Sequence, residues 1–531
     1  MSAALLGADA RAAAPVEPVV ALVDRLAAAD AGREAVRYAR NAVRSDSDLS
    51  LAFAPTARDH AQILDHPTIY AVEARLTPGE TPTLDIRQTA LWTNRSEGVV
   101  DRVVLRVLAN GEPSGNVTIR KALVNGVPAE PRLRGTTLTV PLATPARPGE
   151  MVRLYLDLTQ DVPRFAITPS WDGPVNAVTV GSYGTHSDVV NLGGWLPLVV
   201  PLSRSGMWDD ASLPGTGEFG WYEPSLFDVW MDLPARWELA TTGVELSRTD
   251  TATRRRVHAV ASAVREFAVE TAPDRGVTVT EAGGVRIRVM HPAQHPLIGR
   301  DLARVAERSM ALYVDRFGPL PMAELDVVDA PVNVALGNEY PGLVTVDTHH
   351  HLHGSYVRSR YNEWTLAHEV AHQWWSGEVG SDPRSAPWLD EALAAWSASL
   401  FWRKEHGSVA VDIRHQEDVL RPYAEMHALG IGDLPANLPA GSYNLTQYAA
   451  IVYGRAPLWF DRLVDAIGDE EVYAALQAYY ASNHCRRATA TDLMGALRAS
   501  TDRPQLVDDL YQRWIVEAHG YEDLIAPGLP R

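Results

Sequence analysis

The chain has 531 residues, 46% of them hydrophobic, enough for about two to four domains with cores of their own. Its formal charge of −18, from 48 basic and 66 acidic residues, disfavours a nucleic-acid partner, which needs a basic footprint. One cysteine, Cys485, excludes intramolecular disulfides and reads as a small buried hydrophobe, and no apolar run of about eighteen residues marks a membrane span.

In chain order, residues 1–15 lack the basic start and apolar core of a signal peptide, although small residues around Ala10-Arg11-Ala12 resemble the tail of one. As written, the chain is expected to be cytoplasmic, and exported if its true start lies upstream. Residues 17–45 set Val19, Val20, Leu22, Val23 and Leu26 at helical spacing, broken by Gly32, and predict a helical arm packed on the body. From about His66 to Pro273, short β-prone runs such as 69–72 and 103–108 are punctuated by Gly, Pro, Asn and Asp, the pattern of an all-β domain. Gly283-Gly284 introduces a strand over 285–290. A long amphipathic helix is predicted from about Leu297 to Phe317, stopped by Gly318-Pro319. A strand near 325–328, a strand carrying Glu339 and a His-rich loop follow, and from Pro387 the chain reads as almost entirely helical. The expected division is an N-terminal helical arm over 1–60, a β-rich domain over 61–278, an α+β domain over 279–430 and a helical region over 431–531.

The residues with chemistry to offer are His368-Glu369-Val370-Ala371-His372 and the later Glu391. On a helix, residues four apart share a face, so His368 and His372 can aim imidazole nitrogens at one metal. Glu369 lies beside that axis, where it can take a proton from an attacking water. Glu391, in Trp388-Leu389-Asp390-Glu391-Ala392, is placed on a following helix as third ligand, leaving the fourth tetrahedral position open as catalytic zinc requires. Apolar residues surround the polar triplet, so its helix is buried, and buried His and Glu need partners; that favours metal over a solvated surface helix. One Zn2+ per chain is expected. Trp375 and Glu378 stand where a metzincin carries Gly and His, which excludes that class.

Other candidates weigh less. His349, His350, His351 and His353 point in divergent directions in any strand or loop, so they read as a segment approaching the cleft and not as a second metal site. Trp374, Trp375 and Trp388 read as core packing around a buried helix pair. Asp390 is a candidate hydrogen-bond partner for a ligand histidine.

Together, the His368–His372 motif and the Trp388–Ala392 segment resemble the M1 family of zinc aminopeptidases (gluzincins). Gly337-Asn338-Glu339-Tyr340-Pro341-Gly342-Leu343 is similar to that family's Gly-x-Met-Glu-Asn strand, with Leu336 replacing the first glycine and Asn338 the methionine. Tyr448 with Tyr453-Gly454-Arg455-Ala456 resembles its tyrosine segment, and 222–229 and 264–268 resemble stretches of its β-domain. The resemblance runs, with gaps, from about residue 65 to about residue 515.

It implies a multidomain α+β fold: an N-terminal all-β saddle-like domain, a thermolysin-like catalytic domain carrying the HExxH helix, and a short C-terminal helical region. It implies a metallopeptidase that releases N-terminal residues from peptides. Glu369 would be the general base and Tyr453 the hydrogen-bond donor to the oxyanion. Glu339 would pair with the substrate's α-ammonium, and Gly337 beside it would let peptide backbone approach closely. Glu339 could instead pair with Arg358 or Arg360. No counterpart is evident for the second residue with which many members hold the amine. The chain stops short of the large aminopeptidases, whose C-terminal helices cover the site, so an open cleft is expected. The alternatives are a zinc endopeptidase or dedicated peptide-processing enzyme of the same fold, and a non-catalytic scaffold. Oligomeric state and side-chain preference are not encoded in these motifs.

Overall fold

The computed structural model describes residues 20–111, 117–167, 180–211, 213, 220–333, 335–348 and 360–525. The N-terminal half is built on an eight-stranded sheet in which Ile69–Thr77 lies between Ser225–Pro234, parallel to it, and Thr83–Thr93, antiparallel to it. Side chains alternate across a strand, and this one buries both faces. Tyr70, Val72, Ala74 and Leu76 pack with Val103, Leu105, Val190 and Leu192 of two four-stranded sheets. Ile69 and Ala71 turn the other way, with Leu226 and Val260, to meet the N-terminal arm.

That arm is two helices, α1 (Val20–Ala27) and α2 (Gly32–Ala42), which set Val23, Leu26, Ala27 and Ala35 against the sheet. Gly32 begins the second helix, where the sequence pattern had only a break. A 3₁₀ turn, His60–Ile63, closes the arm before the first strand.

The second half starts from a five-stranded sheet ordered Arg275–Ala282, Val285–Pro292, Glu324–Asp329, Leu343–Val346, Gly337–Tyr340. Helix α3 (Pro296–Phe317) opens with proline in its first turn, where no N–H is needed. It ends at Gly318, whose φ of +110° suits glycine. Leu302, Ala306, Met310, Tyr313 and Phe317, spaced by three or four, form its apolar stripe against Ile287, Val289, Leu325 and Val327. Helix α4 (Tyr361–Ala371) and helix α5 (Trp388–His406) pack on α3 in one core. The Tyr313 hydroxyl donates to the Ala367 carbonyl at 3.0 Å, pinning α4 to α3. Beyond α5 the described chain is helical apart from Arg486–Arg487, which pairs with Val379–Gly380.

Arg265, at the end of the strand Arg254–Val264, ties the halves together. Its guanidinium, 7% exposed, donates to the Ser376 carbonyl at 2.7 Å, to the Gly377 carbonyl and to the Arg486 carbonyl at 3.2 Å. A planar fork of donors suits several carbonyls at once. The result is the α+β architecture expected: a β-rich N-terminal part, a sheet-and-helix part and C-terminal helices.

Candidate metal centre

Helix α4 is buried from Thr365 to its end. Leu366, Ala367, Val370 and Ala371 are wholly buried around His368, Glu369 and His372. The i, i+4 spacing brings the two imidazoles together, with their Nε2 atoms 3.0 Å apart. Glu391, in the first turn of α5, sets Oε2 at 3.3 Å from His368 Nε2 and 3.4 Å from His372 Nε2. The Trp375 carbonyl accepts from His372 Nδ1 at 2.9 Å, which leaves the Nε2 lone pair facing the cluster. Trp364 stacks on His368, centroids 5.2 Å apart, and Arg414 lies over Trp364.

Glu391 Oε2 makes no proper hydrogen bond despite that proximity, and neither does His368 Nδ1 nor Glu369 Oε2. Orphaned buried polar atoms are rare. A tetrahedral zinc with N and O bonds of about 2.0–2.2 Å would hold its ligand atoms about 3.3 Å apart. The three donor atoms therefore fit zinc in type and spacing.

Electrostatics separates the carboxylates. Burial alone would raise Glu391, but the close approach of the His368 and His372 imidazoles and their charge hold it far below the ordinary range. Glu369 is driven well above that range, by burial first and then by the charge of Glu339. Two neighbouring carboxyls pushed apart in this way suit different roles, one a ligand and one a proton carrier.

Glu339 stands on the edge strand Gly337–Tyr340, which among the described strands pairs only with Leu343–Val346. Donor atoms of Glu339, Glu369 and His372 lie within 4.8 Å of one another. Arg360 ion-pairs with Glu363 at 3.1 Å, and Arg358 falls outside the described residues. Gly337 plays a part that its motif did not suggest. A Cβ there would collide with the Glu369 carboxylate, meeting Cδ at 2.7 Å, so the missing side chain gives Glu369 its room.

Tyr453 sits in a π-helical turn, Ala449–Arg455, and its phenol donates to Glu391 Oε1 at 2.5 Å. The residue is 38% exposed, but desolvation of its hydroxyl end and the Glu391 charge push its pKa up, so it stays a donor. Asp390 does not reach a histidine. It accepts from Ser381 Oγ at 2.8 Å and from the Glu391 amide at 2.9 Å, because the start of α5 turns it toward the preceding loop. Trp374, Trp375 and Trp388 are at most 1% exposed and pack in the core as expected. His349, His350, His351 and His353 lie outside the described residues.

Sequence reasoning missed Glu266. This half-buried carboxyl follows Arg265, receives a backbone hydrogen bond from Gly194, and is pushed up to about 7 by burial and by the charge of Glu339. It supplies a second acid beside Glu339, where none was evident from the sequence.

Residues 303–514 match the family model for the Peptidase family M1 domain. The chain is similar to Aminopeptidase M1-B of Oryza sativa subsp. japonica, 26% identical over 253 residues, which is 46% of this chain and 28% of that protein. It is also similar to Aminopeptidase M1 of Arabidopsis thaliana, 24% identical over 44% of this chain and 27% of that protein. The match thus spans little more than a quarter of these curated relatives. Among solved structures it shares the fold of an M1 zinc metallopeptidase mutant from Deinococcus radiodurans bound to a Tyr-Ser-Ala substrate. That likeness has a TM-score of 0.61 at 19% identity and covers 88% of this chain and 96% of the other. A two-domain M1 zinc metallopeptidase mutant bound to L-arginine gives a TM-score of 0.61 at 20% identity, over 88% and 97%.

Proposed function

We propose, from the premise that residues 303–514 are a peptidase family M1 domain, that this protein is a zinc-dependent aminopeptidase removing N-terminal residues from peptides. The observation that carries the reading is Glu339, an edge-strand carboxylate within 4.8 Å of donor atoms of Glu369 and His372. An acid at that distance from the metal-binding face can hold a substrate's α-ammonium while the first peptide bond lies at the reacting centre.

His368, His372 and Glu391 would hold one zinc, which when bound supplies Lewis acidity toward a carbonyl and toward water. Glu369 takes a proton from the attacking water and passes it to the leaving amine. Glu339, with Glu266 nearby, attracts the α-ammonium and excludes substrates that lack it. The side of the Gly337–Tyr340 strand that pairs with no described strand offers main-chain groups to the peptide backbone. Tyr453 donates a hydrogen bond to the oxyanion. The four-part division 1–60, 61–278, 279–430 and 431–531 remains our proposal: separate apolar cores support the boundary near residue 278, while one core continues across residue 430.

The metal assignment is tested by elemental analysis. Glu391→Ala is expected to lose about one equivalent of zinc per chain, since removing one of three protein ligands weakens binding severely. A variant that holds zinc as tightly as the parent would remove Glu391 from the ligand set.

The exopeptidase assignment is tested with aminoacyl fluorogenic amides, free and N-acetylated, with and without chelator. Free substrates are expected to be cleaved about 10²-fold faster or more, the scale of losing a buried charge pair. Glu339→Ala should abolish most of that preference by slowing the free amines. KM for free amines should rise as pH falls through about 7, where Glu266 takes up a proton and its charge is lost; Glu266→Gln should flatten that rise. Equal rates on blocked and free substrates by the parent enzyme would make it an endopeptidase.

A further inference from the structure

A second group of donor atoms lies outside that cluster, and the proposed reaction does not use it. Cys485 Sγ is 3.4 Å from His60 Nε2 and 3.8 Å from Glu378 Oε2, and His60 Nε2 is 3.4 Å from the same Oε2. His484 Nδ1 approaches that oxygen too, at 3.2 Å. Two imidazoles and a thiol thus converge on one carboxylate oxygen, in surroundings where Glu378 and Cys485 are each 7% exposed.

We propose that His60, Glu378 and Cys485, whose donor atoms all lie within 4.8 Å of one another, form a second zinc site that clamps the N-terminal arm, the turn after α4 and the C-terminal helical region together, with His484 orienting Glu378.

The spacing supports a metal over a plain hydrogen-bond network. Tetrahedral zinc with bonds of about 2.0–2.2 Å to N and O and about 2.3 Å to S would hold N and O about 3.3 Å apart, and S about 3.5–3.7 Å from either. The separations of 3.4, 3.4 and 3.8 Å follow that pattern. They also repeat the 3.3 and 3.4 Å found between Glu391 and the two histidines of the first cluster. Ordinary N–H···O bonds settle nearer about 2.9 Å.

The donor chemistry is selective. A set of one sulfur, one nitrogen and one carboxylate oxygen suits zinc and not the all-oxygen cations calcium or magnesium. Thiolate and carboxylate together balance the charge of a dication.

The ligand positions are fixed by backbone. The Cys485 amide donates to the Glu378 carbonyl at 2.8 Å, and the two residues lie at the entrance of the paired Val379–Gly380 and Arg486–Arg487 segments. Cys485 takes φ +53°, uncommon for a residue with a side chain, and its Sγ faces the donor set. Tyr480 packs on the His484 ring at 4.3 Å, and His60 is held edge-on to Phe53 at 5.4 Å.

The test uses the full chain, stripped with chelator, reloaded with Zn2+ or Co2+ alone and dialysed. About two metal ions per chain are expected, and the cobalt form should show an intense near-ultraviolet thiolate-to-cobalt band, since only the second site contains sulfur. Cys485→Ser should lose that band and about one equivalent. Glu391→Ala should lose a different equivalent and keep the band, so the two sites are counted separately. A chain that shows the band yet cleaves no peptide would retain this site and sink only the peptidase reading. Two bound cobalt ions without the band, or a single equivalent that Glu391→Ala removes entirely, would overturn the proposal. If Cys485→Ser does not fold, the metal count and spectrum of the parent and of Glu391→Ala decide it.

Discussion

Glu369→Gln is expected to keep the parental zinc content and to lose at least ~10²-fold in kcat, the usual worth of a positioned general base. The substitution is nearly isosteric, so it fits the space left by the absent side chain of Gly337. It removes the one property that matters, the capacity to accept a proton. The carboxyl lies off the line joining His368 to His372, and its Oε2 has no hydrogen-bond partner, as befits a group that waits for a water molecule. Its neighbour Glu339 belongs to the same donor group as His372, so a loss of charge at Glu369 should also change how tightly substrates bind. The measurement therefore separates kcat from KM. A fall in kcat with zinc retained identifies the base. Near-normal turnover in the Gln variant would end the assignment, and lost zinc would make Glu369 a ligand.

Much of this was legible in the sequence, and the rest was not, for reasons of distance along the chain. His368 and His372 announce themselves because helical periodicity is local: four residues make one turn, whatever the rest of the molecule does. The long helix α3 was legible within a residue at its start, because its apolar stripe and the Gly318 stop are local as well. Glu391 needed only the expectation of a third ligand on a buried helix. Glu266 had no such signal. It is an ordinary residue after a strand, made important by the fold that packs its loop beside the Gly337–Tyr340 edge. Asp390 shows the opposite limit. Its identity suggested a partner for histidine, but the direction of its side chain is set by the geometry at the start of α5, which turns it to Ser381. The burial of Cys485 was correctly expected from composition. Its partners were not, since His60 lies in the N-terminal arm and Glu378 beyond the first metal cluster.

Tyr453→Phe is expected to lower kcat by about 10²–10³ with little change in KM, the cost of deleting one donor to a developing oxyanion. In the substrate-free arrangement the phenol donates to Glu391 Oε1 at 2.5 Å, so it already lies next to the metal-binding carboxylate. Desolvation of its hydroxyl end and the Glu391 charge raise its pKa, which leaves it able to donate at the moment charge develops on the substrate. The π-helical turn Ala449–Arg455 aims it there, and Tyr448 packs edge-on against its ring at 5.7 Å. The same hydrogen bond makes a second role testable, because a donor to Glu391 also orients that ligand. Zinc content must therefore be measured beside the kinetics. Parental zinc with depressed kcat assigns Tyr453 to the oxyanion. Parental kcat at saturating zinc, with weaker metal binding, would instead make it a positioning residue for Glu391, and a rise in KM alone would make it a substrate contact and move the stabilising donor elsewhere.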